Sequence, residues 1–484
     1  MHPRSLPTNG VCGITGRYLV APPTTREILS RAMGRRIDPQ EYRELCDWNE
    51  LYAPDPEGRG PKAGVDPLEL AETGWAVVFA EGVTLAEREA LGPLLRHRES
   101  RANAFAERYR EITYRHGETK NQFLERHKVG PGPADPDKLP YFILLVGSPG
   151  EIPYRFQYQL DVQYAVGRIH FRTRAEYANY AKGVVETETR PPNELGATFF
   201  GVRNPDDPAT ASSADHLVRP LAATLGDDPG HWNVETLLAE NATRASLLDR
   251  IGGPSPPQLL VTASHGIAFP DRHPEQDAYQ GALLCQEWPG PKAWKGPLER
   301  HQFLAGEDIG DDAHPAGLIA FFFACFGAGT PRLDDFADPG AGPPNTLAED
   351  PFLSQLPRRL LGHPRGGALA VISHIDRAWG HSFLWERTGR QHSALESMLR
   401  RLLAGDPVGV AMEPMNQRHA ELAVDLAEEV EAGDLGDPLD PDRIARLWTA
   451  HRDARNYVVL GDPAVRCVVT PPPQAVGPDP EELT

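Results

Sequence analysis

Six short runs of almost purely apolar residues divide the chain between residues 142 and 460. They are FILLV at 142–146, ATFFGV at 197–202, QLLVTA at 258–263, LIAFFFA at 318–324, ALAVIS at 368–373 and YVVL at 457–460. Runs of this length without alternating polar positions are typical of strands buried on both faces of a parallel sheet. Helical patterns separate several of them, so the sequence predicts an α/β domain with alternating strands and helices.

The pattern divides the chain into three regions. Residues 136–470 are predicted to form the α/β domain, with a helical insert at about 393–432. Residues 1–135 are predicted to be a separate N-terminal accessory region, with a short strand at 74–79 and one or two amphipathic helices between 85 and about 128. A stretch rich in Pro and Gly at 129–140 marks the boundary. The tail at 471–484, rich in Pro and acidic residues, is predicted to be disordered.

Composition and charge exclude several classes of protein. The chain has 484 residues, with 49 basic and 68 acidic side chains, and its net charge of −19 does not favour a nucleic-acid partner. The longest apolar run, near 318–326, is far shorter than the roughly 20 residues that cross a bilayer. The first residues lack the pattern of a secretory signal. We therefore expect a cytoplasmic protein without nucleic-acid or membrane partners.

The cysteines and histidines show no pattern that is typical of metal sites. The five cysteines lie far apart and form no CxxC pair, which argues against a disulfide framework or a zinc site. Three histidines in the second half of the chain also lack the spacing of metal ligands. We expect neither a metal nor a cofactor. The residues concerned are Cys12, Cys46, Cys285, Cys325, Cys467, His314, His363 and His381.

Two of the apolar runs end in side chains that can carry chemistry. The run at 258–263 is followed by SHG at 264–266, and the run at 318–324 by CFG at 325–327. Open α/β sheets bind ligands at the carboxyl ends of their strands. A thiol at Cys325 and an imidazole at His265 are what a cysteine nucleophile and its base require. The amides of Gly266 and Cys325 are predicted to stabilise the oxyanion.

A lone buried cysteine or histidine is more often structural. The two residues together, each after an apolar strand and beside a glycine, favour catalysis. The arrangement resembles the caspase-like clan of cysteine peptidases, and within it the gingipain-like and CHAT-type bacterial families. Three further segments carry the resemblance: 141–153 with 160–169, 368–383, and 456–465. It covers about 140–470 and implies a caspase–hemoglobinase sheet, mostly parallel, with helices on both faces.

The resemblance also implies an endopeptidase mechanism. Cys325 attacks the scissile carbonyl and His265 protonates the leaving amine, as a dyad that needs no third residue. Asp161 lies where Arg-specific gingipain-like enzymes carry an acidic residue in the specificity pocket. This predicts cleavage after Arg or Lys through a charge-assisted contact. An alternative stays open, in which Asp161 caps a turn or pairs with Arg168. Gingipains are secreted and bind calcium, and the missing signal argues against both properties here.

Residues after the run at 368–373 are further candidates for the cleft. Trp379 offers an apolar wall, and Asp376 is a second candidate for the specificity carboxylate, with structural pairing around Arg377 as the alternative. His374 could compete for the role of the base, although no glycine follows it. The acidic loop at 330–351 either shapes the cleft, and is cut at Arg332, or is an exposed flexible loop.

The sequence thus predicts a cysteine endopeptidase that cleaves a protein partner after a basic residue. The resemblance implies a role in regulated proteolysis, including bacterial antiviral defence, with residues 1–135 recognising a companion protein or restraining the enzyme. The alternative is a catalytically silent binding scaffold with the same fold. A hydrolase that uses Ser264 or Ser373 is less favoured, because neither serine lies in a GxSxG turn.

Overall fold

The computed structural model describes residues 8–18, 60–190, 195–227, 232–336, 346–385, 388–434 and 440–468. A ten-stranded sheet flanked by helices dominates this part of the chain. Its strands are β1 (Trp75–Phe79), β2 (Tyr109–Thr113), β3 (Phe142–Val146), β4 (Ala165–Ile169), β5 (Gly196–Gly201), β6 (Asn233–Leu238), β7 (Leu259–Ala263), β8 (Ile319–Phe323), β9 (Ala370–His374) and β10 (Tyr457–Gly461). Across the sheet their order is β2-β1-β3-β4-β10-β9-β8-β7-β5-β6.

The sheet consists of two parallel halves that run in opposite directions. Neighbouring strands are parallel within β2-β1-β3-β4-β10 and within β9-β8-β7-β5-β6. Strands β9 and β10 join the halves in antiparallel pairing, with His374 opposite Tyr457. The carboxyl ends of the second half therefore lie beside the amino ends of the first half. We call this side of the sheet, where Phe323 ends β8 and Tyr457 begins β10, the cleft end.

The central strands are buried along their whole length. In β3, β7 and β8 every residue is buried, and almost every side chain is apolar. This is the composition expected of a parallel sheet with both faces covered. Full burial of one large apolar side chain stabilises the fold by about 1.5–3 kcal/mol. The mostly parallel sheet with flanking helices confirms the predicted fold class.

Helices connect most of the strands. The longer ones in the first part of the chain are Gly92–Ala102, Lys120–Arg126, Tyr154–Leu160, Arg174–Thr189, Arg219–Gly226 and Arg244–Gly252. Shorter ones are Leu70–Thr73, Leu85–Ala90, Pro208–Ser213, Gln276–Tyr279 and Val408–Ala411, with a π-helical turn at Ala214–Val218. Towards the end of the chain they are Gln355–Leu361, Ser393–Leu403, Glu413–Asp434 and Pro441–Arg455. The segment predicted as a helical insert at about 393–432 is helical over most of its length.

The described N-terminal residues form part of the main sheet, which differs from the predicted separate region 1–135. Strand β1 pairs with β3 in parallel, with Val78 opposite Leu145, and with β2 on its other side. The stretch at 129–140, interpreted as a domain boundary, belongs to the connection that returns the chain from β2 to β3. Strand β2 also falls within the segment expected to be helical. The predicted disordered tail at 471–484 lies outside the described residues.

A second, smaller sheet lies beside the cleft end. Its four short strands are Gly10–Cys12, Gly266–Ala268, Leu283–Leu284 and Phe303–Leu304, in that order. Val11 is fully buried in a cluster with Ile267 and Trp288. Two hairpin-like pairs complete the strands, Gly329–Thr330 with Phe352–Leu353 and Leu384–Trp385 with Gly389–Arg390. The small sheet fixes the segment after His265 against residues near the start of the chain.

Candidate active site

The register of two neighbouring strands brings His265 and Cys325 together. Strands β7 and β8 are parallel, and Ala263 pairs with Phe323 at the last position of both. His265 and Cys325 each follow two residues later. Because paired strands lie about 4.8 Å apart, the two backbones leave the sheet side by side. Both side chains are fully buried.

The backbones of Gly266 and Cys325 touch directly. A Cβ atom added to Gly266 would overlap the carbonyl group of Cys325, so this contact requires glycine. The chain turns sharply after Cys325, where Phe326 has a φ of 58°. Positive φ is rare for a bulky residue and is held here by two hydrogen bonds, from Phe326 N–H to the Asp376 carbonyl and from the Ser354 hydroxyl to the Phe326 carbonyl. The turn presents the amide of Cys325 towards the cleft end.

Asp207 is a hydrogen-bond partner of His265 that the sequence reasoning missed. The His265 Nε2 atom lies 2.6 Å from the Asp207 Oδ2 atom, and both side chains are fully buried. The Thr210 hydroxyl donates to the same carboxylate at 2.8 Å, and Ala209 N–H donates to it at 3.1 Å as part of the N-cap of helix Pro208–Ser213. The Tyr18 hydroxyl donates to Asp207 as well. Asp207 is thus held rigidly on the imidazole.

The topology explains why an acid from β5 reaches a histidine after β7. From β5 the chain continues to β6 on one side, whereas β7 lies on the other side and leads on to β8. The loops at the carboxyl ends of β5 and β7 therefore leave the sheet in different directions, at a topological switch point of the kind where open α/β sheets bind ligands. Asp207 follows β5 and His265 follows β7, so the two residues meet at this point.

The electrostatics of the pair favour an ionised carboxylate. Burial alone would raise the pKa of Asp207, but the charge and hydrogen bond of His265, with those from Tyr18 and Thr210, outweigh burial and lower it to about 2. In the neutral form of the ring, a proton on Nε2 would be donated to this carboxylate and Nδ1 would be an acceptor. Among the described residues, Nδ1 of His265 has no hydrogen-bond partner. Tyr18 and Trp288 pack edge-on against the ring and fix its plane.

The Cys325 thiol is covered in this structure. Its Sγ atom lies 3.4 Å from the Thr8 hydroxyl oxygen and accepts a hydrogen bond from Ala378 N–H at 3.2 Å. Burial raises the pKa of Cys325 to about 12, although the hydrogen bonds from Thr8 and Ala378 act in the opposite direction. The thiol is therefore protonated at neutral pH in the covered site, and it needs a base to become a nucleophile.

The segment that covers the thiol contacts both predicted oxyanion-hole donors. The carbonyl oxygen of Asn9 accepts hydrogen bonds from Gly266 N–H at 2.9 Å and from Cys325 N–H at 3.2 Å. Asn9 N–H donates to the Ala378 carbonyl at 3.0 Å. The sequence reasoning did not include residues 8–12, since nothing in their composition suggests pairing with residues more than 250 positions away.

The residues after β9 line the cleft mainly through their backbone. Trp379 forms a bridge with Thr8, and its ring packs at a tilt against Phe336. The Asp376 carboxylate, the second candidate for a specificity group, accepts hydrogen bonds from the backbone and the guanidinium of Arg377. Burial raises the pKa of Asp376 to about 7, against the charge of Arg377. Asp376 is therefore engaged in a structural pair, the alternative that the sequence left open.

Arg377 belongs to the same buried network. Its two terminal nitrogens donate to both carboxylate oxygens of Asp334, at 2.8 and 2.9 Å. This bidentate pair ties the loop after Cys325 to the segment after β9. The network surrounds the cysteine turn with fixed charges instead of leaving a free carboxylate for a substrate.

Asp161 lies just before the amino end of β4, on the same side of the sheet as Cys325 but with two strands between β4 and β8. Asp161 follows helix Tyr154–Leu160 and accepts a hydrogen bond from Val166 N–H at 3.0 Å, while its carbonyl accepts one from Asn416. Burial raises the pKa of its carboxyl to about 7. Strands β10 and β9 lie between β4 and β8, which corresponds to about 14 Å at the usual strand spacing. These contacts match the turn-capping alternative.

His374, the competing candidate for the base, pairs with a different acid. Its Nε2 atom lies 3.2 Å from Asp453, which also accepts hydrogen bonds from Trp379 N–H and the Ser382 hydroxyl. The His374 ring packs on Tyr457. This buried pair supports the segment that follows β9. Among the described residues, no cluster of three or more His, Cys, Asp or Glu side chains is arranged to hold a metal.

Comparisons with known proteins give low-identity similarities. No family model matches the chain, and no curated protein matches it. A solved structure described as a protease is 15% identical, with a TM-score of 0.46, over 81% of this chain and 78% of that one. The complex of the pro- and mature domains of Porphyromonas gingivalis RgpB, a gingipain, gives 12% and 0.47 over 81% and 79%. The Saccharomyces cerevisiae separase–securin complex gives 9% and 0.29 over 71% and 17%. No helix in the described part of the chain has the length and apolarity of a membrane span.

Proposed function

We propose that the chain is a cysteine endopeptidase in which Cys325 is the nucleophile, His265 is the general base and acid, and Asp207 positions His265. One observation carries the proposal. A single peptide carbonyl, that of Asn9, accepts hydrogen bonds from the amides of Gly266 and Cys325, beside the buried pair of His265 and Asp207. Two amides that converge on one carbonyl oxygen next to a thiol form the donor set that stabilises a tetrahedral oxyanion.

The proposed reaction proceeds through a thioester. His265 accepts the thiol proton at Nδ1, and the sulfur of Cys325 attacks the carbonyl carbon of the scissile peptide bond. The backbone amides of Gly266 and Cys325 donate hydrogen bonds to the oxyanion. The carbon–nitrogen bond then breaks as His265 returns the proton to the leaving amine. Water then adds to the thioester carbon and gives a proton to His265. The carbon–sulfur bond breaks, the product leaves as a carboxylate, and His265 returns the proton to the sulfur, which restores the thiol.

Asp207 supports this sequence by holding the charge of the imidazolium. Its low pKa keeps the carboxylate ionised throughout the neutral range. The hydrogen bond to Nε2 fixes the tautomer whose Nδ1 is free to accept the thiol proton, and it stabilises the cationic ring formed in the first step. Asp207 touches neither the thiol nor the scissile bond in this scheme, so it acts as a positioning residue.

The proposed substrate is a protein partner, in a cytoplasmic setting that includes bacterial defence. Cleavage after Arg or Lys stays a prediction from the sequence. The described contacts offer it little support, because Asp376 is paired with Arg377 and Asp161 lies about three strands from the cysteine. Replacement of Asp161 by Ala tests this prediction directly: a basic preference that survives the change would exclude Asp161 as the specificity group.

Cleavage profiling on a peptide library tests the proposed function. We expect the wild-type chain to turn over a subset of peptides and the variant Cys325→Ala to lose that activity to background. Cys467→Ala is the matched control, because Cys467 is also a buried free cysteine but lies beyond β10, at the opposite side of the sheet. Undiminished turnover in Cys325→Ala would refute the proposal.

A catalytically silent scaffold is the second candidate, and the covered thiol with its raised pKa favours it. The two candidates differ in reactivity. An enzyme should be labelled selectively at Cys325 by a peptide that carries a thiol-reactive electrophile, and the labelling should depend on His265. A scaffold should show no selectivity for Cys325 over Cys12, which is partly exposed.

A further inference from the structure

The N-terminal segment Thr8–Asn9–Gly10 passes through the candidate active site as an extended peptide would. We propose that this segment is the enzyme's own substrate and that Cys325 cleaves the chain between Asn9 and Gly10. The inference rests on the proposed function and adds two things to it: a specific bond that the site cuts, and asparagine as the residue recognised before that bond.

Backbone hydrogen bonds hold the residues before the proposed cleavage point. Asn9 N–H donates to the Ala378 carbonyl at 3.0 Å, and Thr8 forms an antiparallel bridge with Trp379. The Thr8 hydroxyl also donates to the Ala378 carbonyl at 3.2 Å. Antiparallel addition of an extended peptide to an exposed strand segment is a common mode of peptide recognition, in which main-chain bonds fix the register.

The register places one carbonyl at the centre of the site. Only the Asn9 carbonyl accepts hydrogen bonds from both Gly266 N–H and Cys325 N–H among the described residues. These are the two donors that would hold the oxyanion, so the carbon they select is that of Asn9. The peptide bond attached to that carbon is the one to Gly10. Thr8, directly before, lies with its hydroxyl oxygen 3.4 Å from the Cys325 sulfur.

The residues after the bond are anchored independently. Gly10–Cys12 pairs in parallel with Gly266–Ala268, and Val11 is fully buried. Tyr18, a few residues later, donates its hydroxyl to Asp207. The part of the chain that begins at Gly10 is thus built into the site, and cleavage would release only the part that ends at Asn9.

The side chain of Asn9 gives the segment chemical specificity. Its Nδ2 atom donates to the Ser264 carbonyl at 3.2 Å, and the residue is 1% exposed. An aspartate of the same shape would place a carboxylate oxygen against that carbonyl, and a buried donor bond would be lost. The geometry therefore favours a neutral amide over an acid at this position, and it explains why neither Asp161 nor Asp376 needs to be free.

The chemistry balances as a hydrolysis. The bond between the Asn9 carbonyl carbon and the Gly10 nitrogen breaks as a thioester forms on Cys325. The Gly10 nitrogen takes up the proton that His265 had accepted from the thiol, and it leaves as an amine. Water then cleaves the thioester. The products are a carboxylate on Asn9, a free amine on Gly10 and the regenerated thiol, with one water consumed.

Intact mass and N-terminal sequencing of the purified full chain test the inference. We expect the wild-type chain to begin at Gly10 and Cys325→Ala to retain residues 1–9. The side-chain nitrogen of Asn9 can also attack its own backbone carbonyl slowly, which expels the Gly10 amine and leaves a C-terminal cyclic imide. Cys325→Ala measures this background because it keeps Asn9 and both amides. Asn9→Asp should slow cleavage about tenfold or more, since it removes one buried hydrogen bond and adds repulsion. Asn121→Asp, the same change on an exposed helix, is the matched control and should cleave like wild type.

The outcomes separate this inference from the proposed function. A wild-type chain that cleaves library peptides but keeps its bond from Asn9 to Gly10 would overturn the inference and leave the proposed function standing. A chain that cleaves neither would overturn both. Equal cleavage in Cys325→Ala and wild type would assign the cut to another agent and refute the inference. Circular dichroism of each variant establishes that the compared chains share one fold.

Discussion

Asp207→Asn is the most direct test of the arrangement around His265, because it removes a charge and keeps the shape. Asparagine caps helices as well as aspartate does, so the helix that begins at Pro208 should persist. The new amide can still accept from Thr210 or Tyr18 through its oxygen. What it lacks is the negative charge beside Nε2 of His265, which lies 2.6 Å from the carboxylate in the wild type.

The expected size of the effect follows from that distance. For a hydrogen bond of this length the charge centres of an imidazolium and a carboxylate lie about 4 Å apart, and at an effective dielectric constant of 20 their attraction is about 4 kcal/mol. Because each 1.36 kcal/mol is tenfold in rate, the loss amounts to about 10³-fold in kcat/KM. If the amide nitrogen turns towards Nε2, it also favours the opposite ring tautomer, whose Nδ1 carries the proton and is unable to accept another.

The assay is kcat/KM across pH on the best peptide from the library, together with unfolding in urea. Asp207→Asn should lose activity at every pH, because the imidazolium formed during the reaction no longer has a carboxylate beside it. Thr210→Val is the control, since it removes one hydrogen bond to Asp207 and leaves the charge of the carboxylate in place. A variant Asp207→Asn that stays within about threefold of wild type across the pH range would refute the positioning role.

Two further substitutions test the backbone contact and the buried acid. Gly266→Ala should lower kcat/KM by about 100-fold or more, because its Cβ would overlap the Cys325 carbonyl and displace an amide donor. Gly130→Ala is the control, because no heavy atom lies within 4 Å of the added Cβ, and its kcat/KM should stay within about twofold of wild type. Equal effects of the two substitutions would refute the contact. Asp161→Asn keeps an acceptor for Val166 N–H and removes a carboxyl whose native pKa, about 7, lies above the unfolded value of about 3.9. Between these values the native wild type holds a proton that the unfolded chain has lost, so the wild type loses stability as pH rises, and the advantage of Asp161→Asn should grow by about 2–4 kcal/mol from pH ~4 to ~8. Urea unfolding at both pH values measures it, and a constant difference would contradict the buried charge.

The sheet was predictable where burial alone determines the sequence. Strands with both faces covered need apolar residues at every position, and each of the six apolar runs corresponds to a strand of the main sheet. The same reasoning located the loops after β7 and β8, because ligands bind at the carboxyl ends of parallel strands. His265 and Cys325 follow from that rule, and so does their approach in space.

Asp207 was missed although it obeys the same rule. It follows β5, but five residues of loop separate it from the end of the strand at Gly201, and its role as an N-cap explains it locally. The usable signal was the acidic Asp-Pro pair that opens a helix after an apolar strand. Several acidic residues follow strands, and no local sequence pattern predicts which of them contacts a given histidine. The contact depends on the order of the strands in the sheet, which is not a local property of the sequence.

The strand at 74–79 was predicted, but its place in the main sheet and the pairing of the N-terminal segment were not, for a related reason. Local patterns report a stretch of Pro and Gly as a boundary, whereas strand pairing decides whether the chain returns to the same sheet. Val78 pairs with Leu145, and Gly10 pairs with Gly266. The paired residues are far apart in the sequence, and hydrophobic periodicity reports only on local structure. Pairing of distant segments rests on backbone hydrogen bonds, which every residue except proline offers, and therefore leaves little trace in composition.

The antiparallel joint between β9 and β10 has a practical consequence. Because the direction reverses at this one pair of strands, the loops after β3 and β4 begin at the opposite end of the sheet from the carboxyl ends of β8 and β9, about five residues of strand, or 16 Å, away. Fluorophores, affinity tags or surface tethers attached to exposed positions of those loops would lie away from the cleft end. One end of the sheet thus carries the candidate active site, and the opposite end can carry a label or a surface attachment.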